Sequence, residues 1–307
     1  MHVTEVNAEE YNHLFKAVPH AFNSAEFAEL NKHKAEAVSY LVFADGEKTK
    51  AGLILGERAD GLYSPFSAPF GGFTTCGKLR LSTMDGVAAA LKQYSCAKGK
   101  PVHITLAPTV YDETQISKWA GTLQRYGRLM PVNLNYHFCL GLFPHYRDVM
   151  ERNARKNLSR AMHEDLKFEA LGSTPDAAER AYGVISANRE EHGYPLRMTL
   201  QDVKDTVKTI RADFFVMTHG GTDVAAAQVF HVAEGTAQVI YWGDIKAYSH
   251  LRTMNMLAYS LFGHYHAQGL KTLDIGPSTE GGMPNNGLCD FKESIGCGVT
   301  PKFTFVL

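Results

Sequence analysis

Hydrophobic and polar positions change period repeatedly along the chain. Glu9–Ala17 and Ser24–Lys34 repeat their apolar residues at helical spacing, and Ser24 has the short hydroxyl side chain that caps a helix start. Val38–Ala44 is a β-rich run, Asp45-Gly46 a tight turn, and Lys50–Glu57 the returning strand. SPFSAPFGGF, within 61–73, reads as a loop whose Phe66, Phe70 and Phe73 are placed to wall a cleft or to pack a surface loop. Ser82–Ala97 predicts a helix, Pro101–Ala107 a strand, Glu113–Leu123 a helix, and Arg128–Leu142 a long strand.

After Pro144 the pattern starts again. Tyr146–Glu164 predicts one long helix; a second runs from Thr174 through Pro175 to His192, and a third over Thr199–Ile210. Asp213–Thr218, Val224–Ala233 and Thr236–Trp242 predict a meander of three strands. A long helix follows over Ser249–Ala267, closed by Gly269, then a strand over Leu270–Ile275. PSTEGGMPNNG is a loop; a short helix over Cys289–Ile295 and a strand over Val299–Phe305 finish the pattern. Both halves run helices, antiparallel strands, long helix, strand. That order predicts an α+β chain of two like modules joined near 143–147, against the plainer alternative of one mixed domain.

Composition narrows the classes. The 307 residues are 45% hydrophobic and 21% charged, enough apolar content for a sizeable core. Lys plus Arg is 31 and Asp plus Glu is 32, a formal charge of -1, so no global positive field draws in nucleic acid and sequence-specific DNA binding is not expected. The five cysteines are scattered and odd in number, which fits reduced thiols. With no leader-like start and no apolar run of about 20 residues, a cytoplasmic protein without a membrane span is expected. The 14 histidines show no metal-ligand spacing, so no metal is expected.

Three stretches carry a family resemblance: RNARKNLSRAMHEDLKFE (Arg152–Glu169), YWGDIKAYSHLRTMNMLAYSLFGHYHAQGLKTLDIGPS (Tyr241–Ser278) and NNGLCDFKESIGCGVTPKF (Asn285–Phe303). Their order and spacing resemble the FemAB-like branch of the GNAT-type acyl-CoA N-acyltransferases. The resemblance implies two tandem GNAT-like domains, 1–143 and 144–307, each a mixed, mostly antiparallel sheet flanked by helices. It implies transfer of an acyl or aminoacyl group by direct attack of an amine. The donor would be acyl-CoA or another activated carrier, charged tRNA included, and the acceptor a small-molecule or peptide-like amine. The acetyl-CoA enzymes of this fold carry a glycine-rich loop before the long helix, where backbone N–H groups hold a pyrophosphate. Here AYSHLRTMNML stands there, with no glycine between Gly243 and Gly263. That leaves two alternatives open: a binding or regulatory module on a degenerate fold, and an ordinary acetyl-CoA acetyltransferase of small amines.

The resemblance also assigns roles. Lys292, in Phe291-Lys292, matches a lysine that stabilises the transition-state oxyanion. Asp244 is a candidate general base and Tyr241 a proton donor, both at the end of a central strand with Trp242 and Gly243. Asn286, Asp290 and Phe291 sit in or beside the loops that would meet substrate, and Asp274, at a strand end, either meets substrate there or caps the following loop. Arg252, at the start of the long helix, is placed for a phosphate. Arg152, Arg155 and Lys156 share one helix face with Ser159, Arg160 and His163, opposite Met150, Ala154, Leu158, Ala161 and Met162; that largely positive face suits a phosphorylated substrate or carrier.

Overall fold

A computed structural model describes residues 1–307. It divides into two compact units, Met1–Leu134 with Thr279–Met283 and Thr300–Leu307, and Asn135–Ser278 with Pro284–Val299. The sequence places the break at 143–144; in the structure the changeover comes earlier, and the last residues of the chain return to the first unit.

In the first unit the sheet runs in the order His2–Val6, Ala37–Asp45, Lys48–Arg58, Gly61–Ser64, Val102–Thr105, Thr304–Val306, Arg128–Leu129, with Phe73–Thr75 pairing separately on Lys48–Arg58. Only Gly61–Ser64 with Val102–Thr105 is parallel among these ladders. Helices Leu81–Lys98 and Glu113–Tyr126 accompany it. Ser24 caps helix Ala25–Asn31 by accepting from the Phe27 N–H. The phenylalanines of SPFSAPFGGF are buried: Phe70 packs on His20, Phe22 and Tyr111, so they build core and wall no cleft.

The second unit has a seven-stranded sheet, in the order Gly298–Lys302, Asn133–Cys139, Thr272–Pro277, Thr236–Asp244, Thr222–Ala233, Ala212–His219, Leu166–Gly172. Both sheets are thus mixed and mostly antiparallel, flanked by helices, the α+β architecture expected. Strand alternation sorts the second core. Phe215, Ala225, Ala227, Val229, Val239 and Leu273 pack with the long helix Thr253–Ala267 (Leu257, Leu261, Phe262) and with Ala154 and Leu158 of helix Arg152–Ala161. The opposite face of the sheet packs against helix Pro175–His192, whose Ala178, Ala181 and Ile185 are buried.

The sequence pattern misses the strands His2–Val6, Gly61–Ser64 and Leu166–Gly172, and it differs from the structure at other places too. The long strand predicted over Arg128–Leu142 splits around Pro131 into Arg128–Leu129 and Asn133–Cys139, one in each sheet. The helix predicted over Tyr146–Glu164 breaks at Met150 and Glu151, which are extended, because the Glu151 N–H is drawn to Ser294 O (2.9 Å). Met162, assigned to the apolar face, is exposed beyond that helix's end.

Candidate active site

The strand Thr236–Asp244 is where the second sheet opens. Along Thr222–Ala233 its register places Val239 opposite Val229 but Tyr241 opposite Gln228, so Ile240 is an extra residue, a β-bulge. On its other edge, parallel pairing with Thr272–Pro277 covers only Thr236–Gln238 and stops at Gln238–Asp274. From Val239 to Asp244 that edge has no ladder partner, and the two strands part.

Asp274 closes the apex of this fork. It is fully buried, and its carboxylate accepts from Asn135 Nδ2 (2.8 Å), Gln238 Nε2 (2.9 Å) and the Gly276 N–H (2.8 Å). Gly276 has φ +72°, a left-handed turn that suits glycine. Of the two readings of Asp274, meeting substrate or capping the following loop, the Gly276 N–H bond fits the second, and its three donors make it a tie between three strands.

Lys292 lies on helix Asn286–Ser294, which Asn285 caps through the Leu288 N–H. Its side chain is buried, and Nζ donates to the carbonyls of Ile275 (2.7 Å), Gly276 (2.9 Å) and Pro277 (3.3 Å) at the end of the diverging strand. The Tyr136 ring lies 5.3 Å from Nζ. Burial disfavours the ammonium form and pushes its pKa down to about 8, against the pull of Asp274. In turn burial pushes the nearby Cys297 thiol far up, so it stays protonated.

Consecutive strand residues face opposite ways, so Tyr241 and Trp242 border the gap on its two faces. The Trp242 ring meets that of Phe291, the neighbour of Lys292, at 6.0 Å. The Tyr241 Oη accepts from the Arg197 N–H (3.1 Å), leaving its own proton available to donate. Gly243 is buried under Asn188, whose side chain donates to Asp244 O (2.7 Å). The Asp244 carboxylate accepts from the Thr253 hydroxyl at the start of the long helix. A Cβ on Gly243 would stand 2.3 Å from Asn188. Gly243→Ala is therefore expected to destabilise the protein by about 1–3 kcal/mol through overpacking, read as a lower urea midpoint.

The remaining assigned residues are at the surface. Arg252 is exposed in a left-handed conformation (φ 60°), the only non-glycine residue at positive φ. Arg152, Arg155 and Lys156 are exposed; Arg155 donates to Arg147 O (3.3 Å). The first turn of their helix follows the Glu151–Ser294 bond, which sets it beside the end of the Lys292 helix. Asn286 and Asp290 are also exposed. The structure thus gathers Tyr241, Trp242, Phe291 and Lys292 about the gap and leaves the basic helix outside it.

One residue at the gap carries no signal in the sequence. Arg189, in the last turn of helix Pro175–His192, holds its guanidinium carbon 5.2 Å from the Tyr241 ring centroid and 5.8 Å from that of Tyr194. It reads as the ordinary basic residue of a helix C-terminus, and only the tertiary fold brings it over Tyr241.

A family model for a GNAT acetyltransferase domain matches residues 146–293. Comparison with curated protein sequences finds no match. Among solved structures, FemX aligns over 100% of this chain and 98% of its own at 11% identity, with a TM-score of 0.69. L-PGS from Bacillus licheniformis aligns over 97% and 90% at 13% identity, TM-score 0.62. A tandem GNAT protein from the clavulanic acid biosynthesis pathway aligns over 99% and 97% at 11% identity, TM-score 0.55. At such identities the likeness is one of fold.

Proposed function

With residues 146–293 belonging to the GNAT acetyltransferase family, and the chain thereby a GNAT-type N-acyltransferase, we propose that it moves an acyl or aminoacyl group from an activated carrier to an amine by direct attack, in the FemAB-like manner. The observation that supports this is the fork between Thr236–Asp244 and Thr272–Pro277, with a buried ammonium held at its side. The unpaired strand edge offers backbone N–H groups, and Lys292 a positive charge, to the oxygen of a carbonyl entering the gap.

In this reaction the amine nitrogen forms a C–N bond to the carbonyl carbon and the bond to the carrier breaks. Asp244 takes the proton that the amine loses, and Tyr241 returns one to the departing carrier group. Lys292 acts through its field, and by exchanging its longest bond, 3.3 Å to Pro277 O, for the oxyanion.

The absence of glycine before the long helix favours a carrier other than free acetyl-CoA, and an aminoacyl-tRNA is the leading one. The C-terminal domain of a putative lysylphosphatidylglycerol synthetase from Agrobacterium fabrum, which aligns over 98% of this chain at 12% identity, is a neighbour in fold whose name fits that choice. The exposed face of Arg152, Arg155 and Lys156, with Arg252, would hold the phosphates of such a carrier or of a phosphorylated acceptor. No helix is long and apolar enough to cross a membrane. Incubation with acyl-CoA, aminoacyl-tRNA and an amine panel, with products read by mass spectrometry, tests the reading. Failure of every donor both to react and to raise the melting temperature would overturn it in favour of a binding module.

The pH profile follows from Lys292. Its ammonium form is present below a pKa of about 8 and is lost above it. Turnover is expected to fall as pH rises through about 8, measured with an acceptor saturated at each pH.

A further inference from the structure

The guanidinium of Arg189 is electrostatically unfinished. It is half-buried, its Nε is buried without a hydrogen-bond partner, and it forms no ion pair. Burial lowers its proton affinity, and the groups that oppose this are the Tyr241 and Tyr194 phenols, with no carboxylate among them. The neighbouring acids are engaged or turned outward: Glu191 accepts from the Lys246 N–H (2.9 Å), and Glu190 is exposed. The negative end of its helix and the two aromatic rings steady the cation, yet none supplies an in-plane acceptor for its N–H groups.

Two further observations concern the same place. Gln228 lies directly opposite Tyr241 in the ladder and so shares its face of the sheet. It is fully buried, with neither the oxygen nor the nitrogen of its amide bonded. On the far side of the gap, the buried Lys292 is close enough for the Arg189 charge to lower its proton affinity. Lys292 has three carbonyl acceptors and the field of Asp274; Arg189 and the Gln228 amide have no such partners, so their side of the opening lacks an acceptor.

We propose that Arg189 is the anchor for an oxyanion carried by the substrate, a carboxylate or a phosphate, gripped edge-on by its guanidinium between the Tyr241 and Tyr194 rings. This deepens the acyltransferase reading and rests on it for the word substrate. Aromatic faces on Tyr241 and Tyr194 leave the edge of the guanidinium fork as its binding direction, and that edge matches two oxygens of a planar or tetrahedral oxyanion. Such an anchor fixes the distance between the anionic group and the reacting centre, so acceptors or donors without that group lose affinity first.

The test is equilibrium binding without any acyl donor, so that its failure is distinct from failure of the transfer reaction. The full chain, with Trp119→Phe to leave Trp242 as the sole tryptophan, is titrated with inorganic phosphate and with acetate, against chloride at matched ionic strength. A saturable change in Trp242 fluorescence is expected with at least one of the two probes and none with chloride. Saturation by phosphate alone would identify a phosphorylated ligand, and by acetate alone a carboxylate. Arg189→Gln is expected to weaken the response at least tenfold, and Arg189→Lys, which keeps charge but loses the fork, to weaken it partly. Lys92→Gln, at an exposed position of helix Leu81–Lys98, should leave it unchanged. Equal binding by wild type, Arg189→Lys and Arg189→Gln, or no saturation beyond chloride with either probe, would overturn the proposal; if Arg189→Gln does not fold, the Arg189→Lys comparison decides.

Discussion

Replacing Lys292 with alanine is expected to lower turnover about a hundredfold or more while the circular dichroism of the folded protein persists. Removal of one oxyanion donor typically costs about 2.7–4 kcal/mol of transition-state stabilisation. Lys292 has a second job that the same substitution exposes. Its three bonds to Ile275, Gly276 and Pro277 hold the end of a strand that has left its neighbour, so the melting temperature should drop as well. Kinetics separates the two contributions. A positioning role alone would raise KM and leave kcat largely in place, whereas charge stabilisation lowers kcat and kcat/KM together. Loss of stability with kcat unaltered would remove the catalytic assignment.

The second large effect is expected at Asp274. Asp274→Asn keeps the shape of the side chain but removes its charge, and it turns an amide NH2 toward a site already filled by three donors. Leaving a buried hydrogen-bonding group unsatisfied typically costs about 1–3 kcal/mol, and a loss of that order or more is expected in urea unfolding at pH 7. The electrostatic consequence is more specific. Asp274 raises the proton affinity of Lys292 against burial. Without its charge the ammonium is lost at lower pH, so the falling limb of the activity profile should move below pH 8. A limb that stays in place in a folded Asp274→Asn variant would show that Lys292 does not set it.

The sequence made the second unit readable because its signals are local and strong. The strand ending in Tyr-Trp-Gly-Asp, the long apolar helix and Leu-Asp-Ile-Gly follow each other at short range, and Phe-Lys comes after a turn-rich loop. What it hid depends on partners far along the chain. The break at Met150 comes from a bond to Ser294, and no residue near Met150 announces it. The fork lies between segments separated by the whole long helix, so its opening is a property of register. Asp274 looks the same in sequence whether it meets a ligand or three amides. Arg189 looks like any basic residue closing a helix, and Gln228 like any polar residue of a strand; their meaning comes from the absence of partners, which only the folded chain reveals.

The strand Thr304–Val306 sits between Val102–Thr105 and Arg128–Leu129 in the first sheet. That strand, next to the edge of the sheet, is therefore delivered only after the second unit has been made. Until then the nascent chain carries Val102–Thr105 with one flank bare, through the whole synthesis of the second unit, and such a flank invites pairing with other chains. A fragment ending at Leu134 inherits the same exposed flank for good, and supplying the closing strand as a separate peptide is the natural way to make it soluble.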